Sequence, residues 1–158
     1  MIRALLVAAI FITPSLLTAA TSCSANLAIP RASSNRYQVI LEAYINGAGP
    51  YDFLLDTGSQ VTMIDESLAS ELNIESTTAA AVVGVSLHGK AAKYALVNSV
   101  RVGKNANVES LYVLAFDMKE IQAAGHTLRG LIGGDFLAHF NATIDNTHNR
   151  VCLTKVSD

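Results

Sequence analysis

The first regular pattern along the chain is an alternation. Tyr37, Val39, Leu41, Ala43 and Ile45 alternate with Gln38, Glu42 and Asn46 on the other face. A period of two marks a strand with one buried face. Asn46-Gly47-Ala48-Gly49-Pro50 has the composition of a turn, and 51–55 returns as the partner strand. A short strand is predicted over 60–64 and a helix over 66–72. Asp65 can cap that helix, and Ile64, Leu68 and Leu72 share one face at intervals of four. Asn73 suits a left-handed stop. Residues 82–97 read as a hairpin with Leu87-His88-Gly89-Lys90 at its tip. Strands over 98–102 and 108–116 follow, joined by Gly103-Lys104-Asn105. A short helix over 117–124, a strand over 128–132 and a helix over 135–140 come next. A last hairpin pairs 142–145 with 150–155. The predicted architecture is all-β with two or three short helices.

The pattern changes character before residue 36. Arg3 supplies a small positive region, 4–12 is continuously apolar, Pro14 interrupts it, and Leu16-Leu17 resume it. This is the layout of a secretory signal over 1–22, too short and interrupted for a membrane span. Thr18-Ala19-Ala20 offers small residues for cleavage. Ala20-Thr21-Ser22-Cys23 also resembles a bacterial lipobox, with Ala where Leu is usual. A lipid on Cys23 would tether the protein to a membrane by acyl chains; otherwise Cys23 is an ordinary small residue near the cleavage point. Residues 23–35 read as a Ser/Asn/Pro-bearing linker and 36–156 as one folded domain. The expected location is secreted or periplasmic.

Composition narrows the classes. Hydrophobic residues make up 51% of the 158 and charged residues only 15%, so one packed core is easily supplied. A net charge of -2 with scattered Lys and Arg gives no basic face for nucleic acid. The two cysteines leave two readings. Cys23, if unmodified, can bond Cys152 in an oxidising compartment; if Cys23 is lipidated or removed, Cys152 is a lone, buried structural thiol. His126, His139 and His148 lack the spacing of a metal site. No metal and no cofactor are expected.

The candidate chemistry sits at the end of the apolar run Phe53-Leu54-Leu55, which delivers Asp56-Thr57-Gly58-Ser59 into a tight turn. Burying a carboxylate is costly unless it is paired, hydrogen-bonded or protonated. Gly58 permits positive φ and close approach of another chain. Thr57 and Ser59 bring hydroxyls able to bond a carboxylate or nearby backbone. An acid held in this way is a catalytic candidate.

Asp56-Thr57-Gly58-Ser59 resembles the signature of aspartic proteases. Leu131-Ile132-Gly133-Gly134-Asp135-Phe136-Leu137 resembles their second element, an apolar pair, a glycine, then Asp or Asn opening a short helix. Both elements, in order, place the chain close to the retropepsin-like, single-lobe group. The resemblance implies an acid-protease barrel, a flap at Leu87, His88, Gly89 and Lys90 that closes over an extended peptide, and Asp135 as a support of the fold. Ile132 would line the pocket wall, and Gly133 and Gly134 would let their strand pass tightly behind the active turn. Ser59, where retroviral enzymes usually have alanine, would donate a hydrogen bond to the acid.

The chemistry implied needs two carboxylates around one water, one ionised and one protonated, since close like charges cannot both ionise easily. One Asp-Thr-Gly per chain implies a two-fold homodimer with Asp56 from each copy at the axis. The expected function is therefore an aspartic endopeptidase acting on peptide or protein substrates. The alternative is a non-catalytic binding or assembly module that keeps the fold.

Overall fold

A computed structural model describes residues 25–26, 38–82, 90–121, 127–145 and 150–156. The alternating run forms β2 (Ile40–Ile45), following a two-residue β1 (Ala25–Asn26). Asn46 and Gly47 carry positive φ of 52° and 84°, the combination that a two-residue hairpin needs. The turn is thus shorter than its composition implies, and Gly49 and Pro50 already belong to β3 (Ala48–Leu55). Asn46 also closes the barrel. Its Oδ1 accepts from the N–H groups of Asn98 and Ser99 at 2.8 and 3.1 Å.

The remaining elements are β4 (Met63–Asp65), α1 (Glu66–Glu71), β5 (Ser76–Val82), β6 (Lys90–Val102), β7 (Ala106–Phe116), a 3-10 turn (Met118–Glu120), β8 (Gly130–Ile132), α2 (Gly134–Leu137), β9 (Phe140–Asp145) and β10 (Arg150–Lys155). Asp65 caps α1 by accepting from Ser67 N at 3.0 Å, and Asn73 adopts φ 52° just after it. Residues 60–62 are not a strand: Gln60 O accepts from Asp135 N, Val61 O from Ser59 Oγ, and Thr62 N donates to the Asp135 carboxylate. The second arm of the predicted hairpin over 82–97 and the predicted strand over 98–102 are one continuous β6, and the first arm reaches back to Ser76 as β5. The predicted helix over 117–124 shrinks to one 3-10 turn capped by Asp117; 122–126 lie outside the described residues.

β2, β3, β8, β4, β7 and β6 neighbour one another in that order, and β2 pairs back onto β6, closing a six-stranded barrel with β5 outside it. The fold is that of a single-lobe retropepsin-like barrel. β1, β10 and β9 form a separate three-stranded sheet. Ala25 and Asn26 pair with Val151 and Arg150, although both fall in the stretch read as linker.

Two apolar clusters hold the fold. The larger fills the barrel with Leu41, Ile45, Phe53, Ile64, Val97, Val113, Ile132 and Phe136, joined by Val151 and Leu153 of β10. Each such side chain contributes roughly 1.5–3 kcal/mol relative to exposure. The second lies on the opposite face of the strands and contains Ile40, Met63, Ala92, Leu114, Phe116 and Leu131. It explains why Ile40, on the face expected to be polar, is buried. Cys152 is disulfide-bonded rather than a lone thiol, and it is half-buried. Cys23 lies outside the described residues. Among those residues no helix is long and apolar enough to cross a membrane.

Candidate active site

β3 ends at Leu55, and the chain turns through Asp56, Thr57, Gly58 and Ser59 before re-entering the barrel as β4. β8 runs between these two arms, parallel to β3 and antiparallel to β4. This crossing fixes the turn. Asp56 N donates to Ile132 O at 3.0 Å, Gly134 N to Ser59 O at 2.8 Å, and Asp135 N to Gln60 O at 3.0 Å. Inside the turn Ser59 N donates to Asp56 O at 3.2 Å, and Gly58 N to Asp56 Oδ1 at 2.9 Å. Asp56 is half-buried, while Thr57 and Gly58 are exposed beside it. The carboxylate therefore has a fixed base and an open side.

Below the turn lies a polar support that the sequence pattern does not reveal. Asp135 accepts from Thr62 N at 2.9 and 3.0 Å, from Thr62 Oγ1 at 2.6 Å and from Phe136 N at 2.7 Å. Thr62 Oγ1 in turn accepts from Gly133 N at 3.1 Å. Thr62 is fully buried, the one buried polar residue among those described. Nothing in its neighbourhood in sequence marks it out, since its partner is 73 residues away.

Two expectations for this loop, those for Ser59 and Ile132, need correction. Ser59 Oγ donates to Val61 O at 2.8 Å, and a hydroxyl has one proton to give, so it is not a donor to Asp56. Ser59→Ala should therefore leave the pH profile of any Asp56-dependent activity superimposable on that of the wild type; an acidic limb displaced in the variant would contradict this geometry. Gly58 is not among the residues with positive φ. Its smallness matters instead, because a Cβ there would sit 3.3 Å from Asp56 Oδ1. Ile132 does not line a pocket. It is fully buried in the barrel core, because alternation along β8 turns Leu131 to the opposite cluster beside Leu54 and Val61.

The two glycines of the second element differ. A Cβ on Gly133 would meet Val61 C at 2.5 Å and Thr62 N at 2.8 Å, both backbone atoms, whereas one on Gly134 would meet nothing nearer than 3.4 Å. Gly133→Ala should cost about 1–3 kcal/mol by overpacking and displace the active loop, with Gly134→Ala close to neutral. Paired thermal melts of the two variants check this.

Of the flap residues, Leu87, His88 and Gly89 lie outside the described residues, and Lys90 opens β6. β5 and β6 pair antiparallel up to Val82 and Lys90, so the hairpin itself is present. His139 is exposed, and among the described residues no group of His, Cys, Asp and Glu is placed to hold a metal.

An acid at the tip of a strand, a second strand threaded behind it and a half-buried carboxylate bracing the loop form one arrangement. The family model for aspartyl proteases matches residues 41–136, which contain all three. The chain belongs to the aspartyl protease family. Among solved structures, this chain is similar to a retropepsin-like aspartic protease from Rickettsia conorii, with 18% identity and a TM-score of 0.53, covering 86% of this chain and 98% of that one. The retroviral protease-like domain of Ddi1 from Leishmania major matches at 16% identity and a TM-score of 0.47, covering 76% and 94%. No curated protein matches the chain.

Proposed function

We propose that this family member is an aspartic endopeptidase that works as a homodimer, with Asp56 of each copy flanking one water. The observation that carries the reading is the Asp56 turn: braced from behind by β8 and α2, open in front, and present once per chain. A facing turn from a second copy would complete the acid pair. The ionised carboxyl would take a proton from the water as its oxygen attacks the scissile carbonyl carbon, and the protonated carboxyl would give its proton to the carbonyl oxygen. Collapse of the resulting diol would break the C–N bond, with a proton passing to the leaving amine. Thr57, exposed at the tip, would bond across the two-fold axis to the partner's turn.

β9 supports the dimer. It is an edge of its three-stranded sheet among the described residues, and Asn141, Ala142, Thr143 and Ile144 are all exposed. Ala142 and Ile144 sit opposite Leu153 and Val151, which are buried, so the core-side face of the sheet continues uncovered onto β9. An open edge invites another strand, and an antiparallel pair of identical strands satisfies two-fold symmetry.

Export is the accompanying proposal. The disulfide at Cys152 favours an oxidising compartment. A lipid on Cys23 would anchor the exported protein to a membrane by acyl chains.

The test is incubation of the concentrated protein with a mixed peptide library from acidic to neutral pH, beside Asp56→Asn, with new termini read by mass spectrometry. Cuts made by the wild type alone are expected. No cuts from a demonstrably dimeric sample would replace this reading with that of a non-catalytic binding module.

A further inference from the structure

Five large hydrophobic residues are exposed among those described, and three of them adjoin: Tyr94 at 39%, Leu96 at 49% and Tyr112 at 62%. Leu96 pairs directly with Tyr112, and Tyr94 with Leu114. Alternation along β7 puts Tyr112 on the face of Leu114 and Phe116, and alternation along β6 puts Tyr94 and Leu96 on the face of Ala92. Ala92, Leu114 and Phe116 belong to the second cluster, with Met63, Leu131 and, at its margin, Leu54 and Val61. The exposed patch is therefore the uncovered end of an apolar face whose inner part is buried and whose half-buried margin, Leu54 and Val61, brackets Asp56 in the sequence. Thr62 O accepts from Leu114 N at 3.0 Å, so the chain at 61–62 enters β4 beside β7, with Val61 toward the Tyr112 end of that strand.

We propose that Tyr94, Leu96 and Tyr112 form a docking surface for an apolar segment of the substrate, outside the cleft that holds the scissile bond. The proposal rests on the peptidase reading and names the substrate class. Scattered exposed apolar residues need no explanation, but a contiguous patch does. Its continuity with half-buried Leu54 and Val61, on either side of the Asp56 turn, selects the occupant, because a chain extended from the turn past Val61 meets the patch next. Val61 is five residues from Asp56, at most about 17 Å of chain, and one strand spacing of about 5 Å separates β4 from β7. An extended peptide covers that distance in about six or seven residues. Substrates should thus carry Leu, Ile or aromatic residues about four to seven positions from the cut, on one side of it. Aromatic and aliphatic side chains on a sheet face give such a segment a low-entropy platform.

The test uses two peptides of about sixteen residues that share the bond cut most readily in the library, one with Leu and Phe at about the fourth to seventh positions and one with Ser there, made for each side of the bond. The wild type should favour the apolar peptide by about tenfold or more in kcat/KM, mostly through KM, on one side only. The double variant Leu96→Ser, Tyr112→Ser should lose that preference and cut the Ser peptide as the wild type does. Equal preference in wild type and double variant overturns the proposal, as does no preference on either side.

Binding separates this proposal from the peptidase reading. Fluorescence anisotropy with the Asp56→Asn protein, and the same protein carrying the double substitution, should show about tenfold weaker binding of the Leu/Phe peptide in the latter. If nothing is cut, the same measurement is made with a Leu/Phe-rich peptide and its Ser counterpart. Binding that depends on the patch then upholds the docking surface while the peptidase reading falls; binding indifferent to it overturns the docking surface. Leu96→Lys with Tyr112→Lys repeats the experiment if the Ser variant is poorly folded by circular dichroism.

Discussion

Asp56→Asn is expected to abolish peptide cleavage and leave the fold intact. The amide oxygen of Asn can still accept from Gly58 N, the one hydrogen bond that the Asp56 side chain makes inside its turn. What is lost is the ability to take a proton from water, a step worth roughly 10²–10⁴-fold in rate. In a homodimer one substitution removes both acids, so the loss should reach or exceed the upper figure. Symmetry gives a second readout. If subunits exchange in an equal mixture of wild type and Asp56→Asn, about one quarter of the dimers carry two acids, and activity per wild-type chain falls by about half. Activity strictly proportional to the wild type added would show that the acids of two copies do not share a site. A thermal midpoint well below that of the wild type would show that Asp56 also holds the turn.

Asp135→Ala should have the opposite signature, a loss of the fold that carries activity with it. Its carboxylate accepts from Thr62 N, Thr62 Oγ1 and Phe136 N, and Thr62 is fully buried. Truncation takes the acceptor away from these donors, two of them on fully buried Thr62. Leaving buried donors unmatched costs about 1–3 kcal/mol each, so a total on the order of 3–5 kcal/mol is expected, a large part of the stability of a small domain. Asp135→Asn keeps one acceptor oxygen and should fall between. Thr62→Val removes the hydroxyl that links Asp135 to Gly133 N, and its cost should not add to that of Asp135→Ala, since the two share one network. Urea unfolding of the four proteins measures this. A midpoint for Asp135→Ala equal to that of the wild type would mean that the network is ornamental.

Much of this was legible in the sequence because it is local. The alternation in β2, the cap at Asp65, the stop at Asn73 and the Asn46-Gly47 turn each depend on neighbours within a few residues. The two motifs that frame the site were readable for the same reason. What the sequence hid is long-range. Thr62 looked like part of a short strand because nothing nearby says that its hydroxyl meets Asp135. Ile132 was assigned to the pocket wall because strand alternation settles which residues share a face but not which face meets the core. Ser59 was given to Asp56 although Val61 O is also within its reach. The pairing of Ala25 and Asn26 with β10 joins opposite ends of the chain, and two residues are too few to show a period.

The threading of β8 between the arms of the active loop also governs when the site can exist. Asp56, Thr57, Gly58 and Ser59 are synthesised early, but the residues that brace them, Ile132 to Asp135, follow more than seventy positions later. Contacts so distant form late in folding. A chain still leaving the ribosome therefore holds its acid in a loop with no backing strand and no Asp135 beneath it. The order of the sequence delays the competent turn until nearly the whole domain has been made.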